Sequence, residues 1–205
     1  MSADGYQWDR FVADASDLFK DVTDKSSLDD DWFILQLGAL AARWPEIPEA
    51  KIYFNDGLGP DIGTGPVHMP QKLPFFVLVW TLAPGAVLPA HDHPNYSFCT
   101  LGVKGEVRIR NYESTGSLPD YHSTQSFQVR KTKDQLLTPG KISTLTRHRD
   151  NIHQLDAGRD FAMGIDIGIL HSKDEGFSYL NIPDQETGSL ITSNWDSVLT
   201  RKVRG

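Results

Sequence analysis

The chain has 205 residues, of which 39% are hydrophobic and 23% are charged, and its formal net charge is −7 at pH 7. This length suits one domain with extensions, and no run of about 20 apolar residues is present that would predict a membrane span. The acidic balance, which no cluster of Lys and Arg offsets, argues against nucleic acid as a partner.

Two features of the chain bear on its compartment. Its first residues include neither a basic start nor an apolar segment, so we expect no secretory signal. Cys99 is the single cysteine, which excludes an internal disulfide and is typical of a reducing environment. We therefore predict a cytoplasmic protein, and the sequence gives no prediction of its oligomeric state.

Two amphipathic helices are predicted in the N-terminal part of the chain. Between residues 8 and 22, apolar side chains recur at three- and four-residue steps, which is the spacing of one helix face. They are Trp8, Phe11, Val12, Ala15, Leu18, Phe19 and Val22. A second helix is predicted from about residue 28 to 43, with Ser26, Ser27 and Asp29 as candidates for its cap and Trp44-Pro45 ending it. We expect both helices to pack against the main body.

From about residue 50 the sequence changes to short β-prone runs separated by turn residues. The runs are 75–82, 96–103, 106–112, 127–129, 142–146, 152–155 and 161–170. Turns are predicted at Pro84-Gly85, Lys104-Gly105, Pro139-Gly140 and Ala157-Gly158. Many short strands with such turns are typical of a small barrel or jelly roll. We predict a helical extension over residues 1–45, a β-barrel over 46–183 and a polar C-terminal tail over 184–205.

A pair of histidines, His91 and His93, is the most informative pattern in the chain. Alternate side chains of a strand share one face, so the two rings could bind the same metal ion. Pro84-Gly85 precedes the pair, and Gly105 follows His93 by twelve residues. A single histidine on an apolar face is usually a satisfied core residue, whereas this spaced pair favours a metal site.

The stretch from Gly85 to Gly105 resembles the first motif of the cupin superfamily, in which a glutamate ligand follows a His-x-His pair. The resemblance implies an all-β fold, the cupin double-stranded β-helix or jelly-roll barrel, with the two N-terminal helices packed on it. Phe98 stands in the glutamate position, and an aromatic ring cannot coordinate a hard or borderline metal cation. Some cupins that lack this glutamate use three histidines alone, and the thiol dioxygenases are the best-known group among them.

His153 is the candidate for the third ligand. It lies in the segment Asn151-Ile-His-Gln, which resembles the second cupin motif and, more closely, a segment of the cysteamine dioxygenase and plant cysteine oxidase family. We expect His68 and His122 in polar loops and His148 in a solvated charged run. The sequence assigns no role to these three histidines or to His171.

The same family resemblance continues in Phe161-Ala-Met-Gly-Ile-Asp-Ile and in Phe177-Ser-Tyr-Leu. It implies a contact of Asp166 with the substrate amine or with a metal ligand, and a catalytic role for Tyr179. Two structural alternatives stay open, since Asp166 could anchor a loop or pair with an arginine, and Tyr179 could be a packing residue. The family's Ala-Pro-Pro-Tyr after that aspartate is replaced here by Gly168-Ile-Leu-His171.

The resemblance implies a non-haem Fe(II)-dependent dioxygenase that uses O2 to oxidise a small or peptide-terminal thiol to a sulfinate. One iron per chain is expected, which nickel or zinc can displace during purification. Free cysteine lacks its expected anchor, because the Tyr-x-Arg segment of cysteine dioxygenases corresponds to Tyr53-Phe-Asn55. Two alternatives stay open: a three-histidine cupin dioxygenase that acts on carbon, of the β-diketone type, and a non-enzymatic cupin that binds a metal or a ligand.

Cys99 adjoins the position of the missing glutamate. In animal cysteine dioxygenases a crosslinking cysteine occupies that position, which is Phe98 here. Strand alternation turns Cys99 to the opposite face, so we expect a buried structural thiol with no role in the site.

Overall fold

The computed structural model describes residues 8–18, 29–43, 52–54, 58–68, 75–172, 177–183 and 190–197. Within these ranges two helices are followed by twelve strands. The helices are α1 (Trp8–Asp17) and α2 (Asp30–Ala41). The strands are β1 (Tyr53–Phe54), β2 (Ile62–His68), β3 (Phe76–Leu82), β4 (Val87–Asp92), β5 (Tyr96–Lys104), β6 (Val107–Ser114), β7 (Phe127–Leu137), β8 (Ile142–Leu145), β9 (Ile152–Ala157), β10 (Ala162–Leu170), β11 (Leu180–Asn181) and β12 (Ile191–Trp195).

The strands form two antiparallel six-stranded sheets. Sheet I has the order β1-β2-β3-β10-β5-β8, and sheet II has the order β11-β12-β7-β6-β9-β4. Strands that are neighbours in a sheet are mostly distant in sequence, as in a jelly roll. One hydrophobic cluster joins Trp80 and Ala162 of sheet I to Ile109 and Leu155 of sheet II, so the two sheets pack face to face. The predicted double-stranded β-helix barrel is confirmed.

The outer face of sheet I is covered by the two N-terminal helices. Ile165, Ile167 and Ile169 alternate along β10, and they pack in one buried cluster with Phe11 of α1 and Leu37 of α2. Asp29 caps α2, because its carboxylate accepts a hydrogen bond from the Trp32 backbone N–H at 3.0 Å. This cap confirms one of the three candidates, and the other two, Ser26 and Ser27, lie outside the described residues.

Cys99 lies on the same outer face of sheet I, in the cluster with the helices, and is fully buried. Its neighbour Phe98 belongs to a different cluster, with Phe76 and Leu145. The expected alternation is therefore confirmed: Phe98 faces the barrel interior and Cys99 faces α2. Burial raises the pKa of the Cys99 thiol to about 12, so the thiol is unreactive at neutral pH.

The segment expected as a tail contributes a strand to sheet II. β12 pairs with both β7 and β11. Ile191, Ser193 and Trp195 are buried, while the residues between them are exposed, which is the alternation of a strand with one covered face. The strand was not predicted because only two of its five residues are large and apolar.

No helix among the described residues is long and apolar enough to cross a membrane.

A prediction concerns Gly168 of β10, which faces the barrel interior beside Phe98. A Cβ atom there would lie 2.2 Å from the Ser97 carbonyl oxygen and 2.3 Å from the Phe98 Cβ. We expect Gly168→Ala to lower the free energy of unfolding by roughly 1–3 kcal/mol, since the neighbouring strand has to move. Gly116→Ala is the control, because its Cβ would meet no atom within 4 Å. Urea unfolding measures both variants, and equal stability of the two would contradict the close approach of β10 and β5.

Candidate metal centre

Three buried histidines converge inside the barrel, at the edge of sheet II that β9 and β4 form. His91 lies in β4, His93 follows the end of β4 directly, and His153 lies in β9. One ligand atom from each ring lies within 4.8 Å of the other two. The His153 Nε2 atom is 3.1 Å from His93 Nε2 and 3.1 Å from His91 Nε2. The structure therefore brings together the three histidines that the sequence singled out.

A β-bulge in β4 turns His91 into the barrel. Leu88 pairs with Leu155 of β9 and His91 pairs with His153, so three steps along β4 match two steps along β9. The extra residue reverses the alternation, and Leu88 and His91 therefore share the inner face, although a regular strand would place them on opposite faces. The bulge thus aims the His91 ring at His153.

The bulge also fixes the tautomer of His91. The His91 Nδ1 atom is 2.7 Å from the Pro89 carbonyl oxygen, which can only accept a hydrogen bond. Nδ1 therefore carries the proton, and Nε2 offers a lone pair to the centre of the cluster. Burial lowers the pKa of His91 to about 4, and it lowers the pKa values of His93 and His153 well below 6.5. All three rings are neutral at pH 7, as metal ligands must be.

The three rings fit a cation better than they fit one another. Because His91 Nε2 carries a lone pair, its contact with His153 Nε2 needs a hydrogen on His153. A single hydrogen on His153 Nε2 cannot form a good hydrogen bond to both other rings, so one of the two 3.1 Å contacts is left without a hydrogen bond of its own. A cation at the centre removes this conflict, and neutral imidazole nitrogen is a ligand for iron, nickel and zinc alike.

Four aromatic rings surround the histidine cluster. Phe98, which replaces the glutamate of the motif, lies 4.8 Å from the His93 ring and 5.6 Å from the His153 ring between centroids. Tyr96 lies 5.5 Å from His93. Phe177 and Tyr179 each lie 5.5 Å from His91. Among the described residues the cluster therefore has an apolar wall at the position where the motif that this stretch resembles has a carboxylate.

Tyr179 and Asp166, the two other predicted site residues, lie at different distances from the cluster. Tyr179 is fully buried and forms a β-bridge with His91 as well as the ring contact. Asp166 lies on the inner face of β10, opposite Thr100 of β5, while Gly168 lies opposite Phe98. Phe98 is the residue of β5 that contacts the histidine rings. Asp166 therefore lies two residues along β10 from Gly168, the residue opposite Phe98.

The Asp166 carboxylate accepts two hydrogen bonds at the same oxygen. The donors to Oδ1 are Thr100 Oγ1 at 2.7 Å and Trp80 Nε1 at 3.3 Å. Burial raises the pKa of the Asp166 carboxyl to about 7, although both hydrogen bonds act in the opposite direction. A carboxyl with this pKa changes its charge near neutral pH.

The histidine cluster found among the described residues consists of His91, His93 and His153 and includes no other histidine. His122 and His148 are exposed, as expected. His68 is the last residue of β2, so its expected place in a loop is wrong. The side chain of His171 is 4% exposed, and its Nε2 lies 3.0 Å from Ser97 Oγ and 3.3 Å from Asp30 Oδ2, where it joins α2 to the barrel. Asn55, in the place of the arginine of cysteine dioxygenases, lies outside the described residues.

Sequence reasoning missed two features of this site. The bulge in β4 has no strong signal except Pro89, a residue that sheets accept at bulges and edges. Phe177 begins the segment Phe177-Ser-Tyr-Leu that resembles the family, but its ring contact with His91 depends on a tertiary contact between this segment and β4.

The chain was compared with curated protein sequences and with solved structures. No curated protein sequence matches the chain. Among solved structures, KdgF from Halomonas sp. is 16% identical, with a TM-score of 0.43, over 60% of this chain and 89% of that one. The cupin domain of Cnp3 from Schizosaccharomyces pombe is 9% identical, with a TM-score of 0.43, over 61% and 72%. A recombinant oxalate oxidase in complex with glycolate is 16% identical, with a TM-score of 0.44, over 65% and 60%.

A protein-family comparison is more specific. The PCO_ADO family matches residues 59–168, which is just over half of the chain. The match begins before β2 and ends in β10, so it contains all three clustered histidines and Asp166. The chain belongs to the PCO_ADO family, the family of plant cysteine oxidase and cysteamine dioxygenase.

Proposed function

We propose that this protein is a non-haem Fe(II)-dependent dioxygenase that oxidises a small or peptide-terminal thiol to a sulfinate. The observation that carries the proposal is the cluster of three buried, neutral histidines, which among the described residues includes no carboxylate, in a chain of the PCO_ADO family. His91, His93 and His153 would hold the iron. The family supports an oxidoreductase, and the thiol and the metal are our inference.

When bound, Fe(II) would supply the redox chemistry that transfers both atoms of O2 to a thiolate sulfur, giving R–SO2H from R–SH. The protein residues set the conditions for it. Because all three ligands are neutral, the full charge of the ion remains to favour the thiolate form of the substrate. Phe98, where a carboxylate would cancel one of those charges, keeps the site apolar instead.

The aromatic wall limits the access of water to the cluster. Phe98 is 2% exposed and Tyr179 is fully buried, whereas Tyr96 and Phe177 are partly exposed. We infer that the substrate enters on the side of Tyr96 and Phe177, since the other two rings are packed into the interior. A dry site strengthens the attraction between a thiolate and the cation.

Asp166 supports a substrate that carries an amine. In its ionised form the carboxylate can accept a charge-assisted hydrogen bond from an ammonium group, beyond the two bonds that Thr100 and Trp80 donate. Since the expected carboxylate anchor of free cysteine is replaced by Asn55, a thiol without a carboxylate, or an N-terminal cysteine of a peptide, fits better than free cysteine.

Metal binding can be tested apart from catalysis. We expect metal-free protein to bind one Co(II) or Fe(II) per chain under anaerobic conditions, measured by calorimetry and by visible absorption. His153→Ala removes one of three ligands. It should weaken metal binding more than the roughly 10–100-fold that is typical when a residue hydrogen-bonded to a ligand is replaced. His148→Ala is the control, since His148 is exposed. Equal affinity of His153→Ala and the wild type would exclude His153 as a ligand.

The reaction is tested with Fe(II)-loaded protein, a panel of thiols and β-diketones, an oxygen electrode and mass spectrometry. We expect oxygen uptake with a thiol and a product that has gained two oxygen atoms. His91→Ala should reduce the rate to that of free Fe(II), and His148→Ala should leave it unchanged. Cleavage of a diketone without thiol oxidation would favour the carbon-acting alternative, and no turnover of either class would favour a binding protein.

The role of Asp166 predicts a difference between two thiols of similar size. Asp166→Asn should lower kcat/KM for cysteamine roughly ten- to hundredfold, the effect of losing a hydrogen bond between charged groups. For 2-mercaptoethanol, which has a hydroxyl in place of the amine, the variant should differ little from the wild type. Because the carboxyl pKa is raised to about 7, the cysteamine advantage of the wild type should grow as the pH rises through that value. Equal losses for both thiols at every pH would make Asp166 a structural residue.

A further inference from the structure

Asp92, the residue between the two histidines of the pair, is buried and joined to a distant segment. It is 5% exposed, and its Oδ1 accepts a hydrogen bond from the Ser178 backbone N–H at 2.6 Å. The Asp92 backbone N–H donates in return to the Ser178 carbonyl oxygen at 3.0 Å. Two reciprocal hydrogen bonds therefore connect the strand of His91 to the segment that carries Phe177 and Tyr179.

The segment from Phe177 to Tyr179 is held from two sides. On one side lie Asp92 and the bridge between His91 and Tyr179. On the other side the Asp196 backbone N–H donates to the Tyr179 carbonyl oxygen at 2.7 Å. Since Ser178 is 1% exposed, its N–H needs an acceptor in the protein, and the side chain of Asp92 provides it.

The bond to Asp92 has a consequence for Phe177 in particular. Phe177 directly precedes the residue that Asp92 holds, and Tyr179, which follows it, also has backbone contacts with His91 and Asp196. The Phe177 ring is partly exposed and lies 5.5 Å from the His91 ring and 6.1 Å from the His93 ring. A charged acceptor makes the bond at Ser178 stronger than a neutral one would.

We propose that Asp92 is a positioning residue of this site: its carboxylate holds Phe177 over the histidine cluster and so shapes the substrate entrance. The proposal rests on the proposed function for its effect on substrate. The histidines themselves do not depend on this bond, because His91 pairs with His153 in the β4–β9 ladder and the His93 N–H donates to the Asn151 carbonyl oxygen at 2.8 Å. Loss of the carboxylate should therefore affect substrate binding more than metal binding.

Three variants separate the carboxylate from its surroundings. Asp92→Ala removes the acceptor, and Asp92→Asn keeps a neutral oxygen acceptor. Ser178→Ala is the control, because it removes only the serine hydroxyl and keeps the backbone N–H that donates to Asp92. Hydrogen exchange of the metal-free proteins, followed by mass spectrometry, reports on residues 177–183 directly and needs no activity.

We expect Asp92→Ala to accelerate hydrogen exchange in residues 177–183 at least about tenfold, which is the lower limit of the effect of losing a hydrogen bond to a charged group. The exchange rates of β5 and β10 should not change. Asp92→Asn should show a smaller increase, and Ser178→Ala should match the wild type. Unchanged exchange in Asp92→Ala, or an equal effect of Ser178→Ala, would overturn the proposal. If Asp92→Ala does not fold, Asp92→Asn decides: a local increase supports the proposal and no increase contradicts it.

The effect of the Asp92 substitutions on substrate binding is measured separately, by enzyme kinetics. In Fe(II)-loaded protein, Asp92→Asn should raise KM for the thiol several-fold, leave kcat within about twofold and leave metal affinity unchanged. A parallel loss of metal affinity would make Asp92 a support of the histidines and overturn the inference. If the wild type oxidises no thiol, the proposed function fails, while the exchange experiment still tests the bond between Asp92 and Ser178.

Discussion

The pairing of β4 with β9 is the constraint on which the rest of the site depends. A regular antiparallel ladder would leave Leu88 and His91 on opposite faces, and only the extra residue in β4 lets both face the interior. The extra residue lies between Leu88 and His91, and in the same stretch the Pro89 carbonyl oxygen accepts a hydrogen bond from His91 Nδ1. One local irregularity of the backbone thus sets both the direction of the ring and the nitrogen that faces the cluster.

The surroundings of the cluster explain why the three rings favour a cation. Burial keeps all three imidazoles neutral, so they neither repel a divalent ion nor satisfy one another's lone pairs. The residues packed around them are aromatic, and the nearest carboxylate that faces the interior on β10, Asp166, has a raised pKa and lies one inward position beyond Gly168. The charge of a bound ion would therefore be available to an anionic substrate.

The sequence alone predicted the parts of the site whose spacing is local. His91 and His93 are two residues apart, and the motif around them is independent of the rest of the fold. The face of Phe98 and Cys99 followed from strand alternation alone, and the structure confirms it. His153 required a family resemblance, because its place opposite His91 depends on a pairing of strands that are about sixty residues apart.

Other features could not be predicted because they depend on tertiary contacts. The strand β12 has little hydrophobic signal and is defined by its partners β7 and β11. Asp92 resembles any polar residue between two ligands until its carboxylate is seen to bond with Ser178, 86 residues away in the chain. The position of Phe177 follows from that bond. In each case the local sequence is compatible with several structures, and long-range hydrogen bonds select one of them.

The central claim, that the three histidines together hold one metal ion through imidazole nitrogen, is tested most directly by X-ray absorption at the iron edge. The measurement uses anaerobic Fe(II)-loaded protein and the His153→Ala variant. We predict the scattering of three imidazole rings around iron in the wild type and of two in the variant. Fewer than three imidazoles in the wild type, or an unchanged spectrum in the variant, would contradict the account.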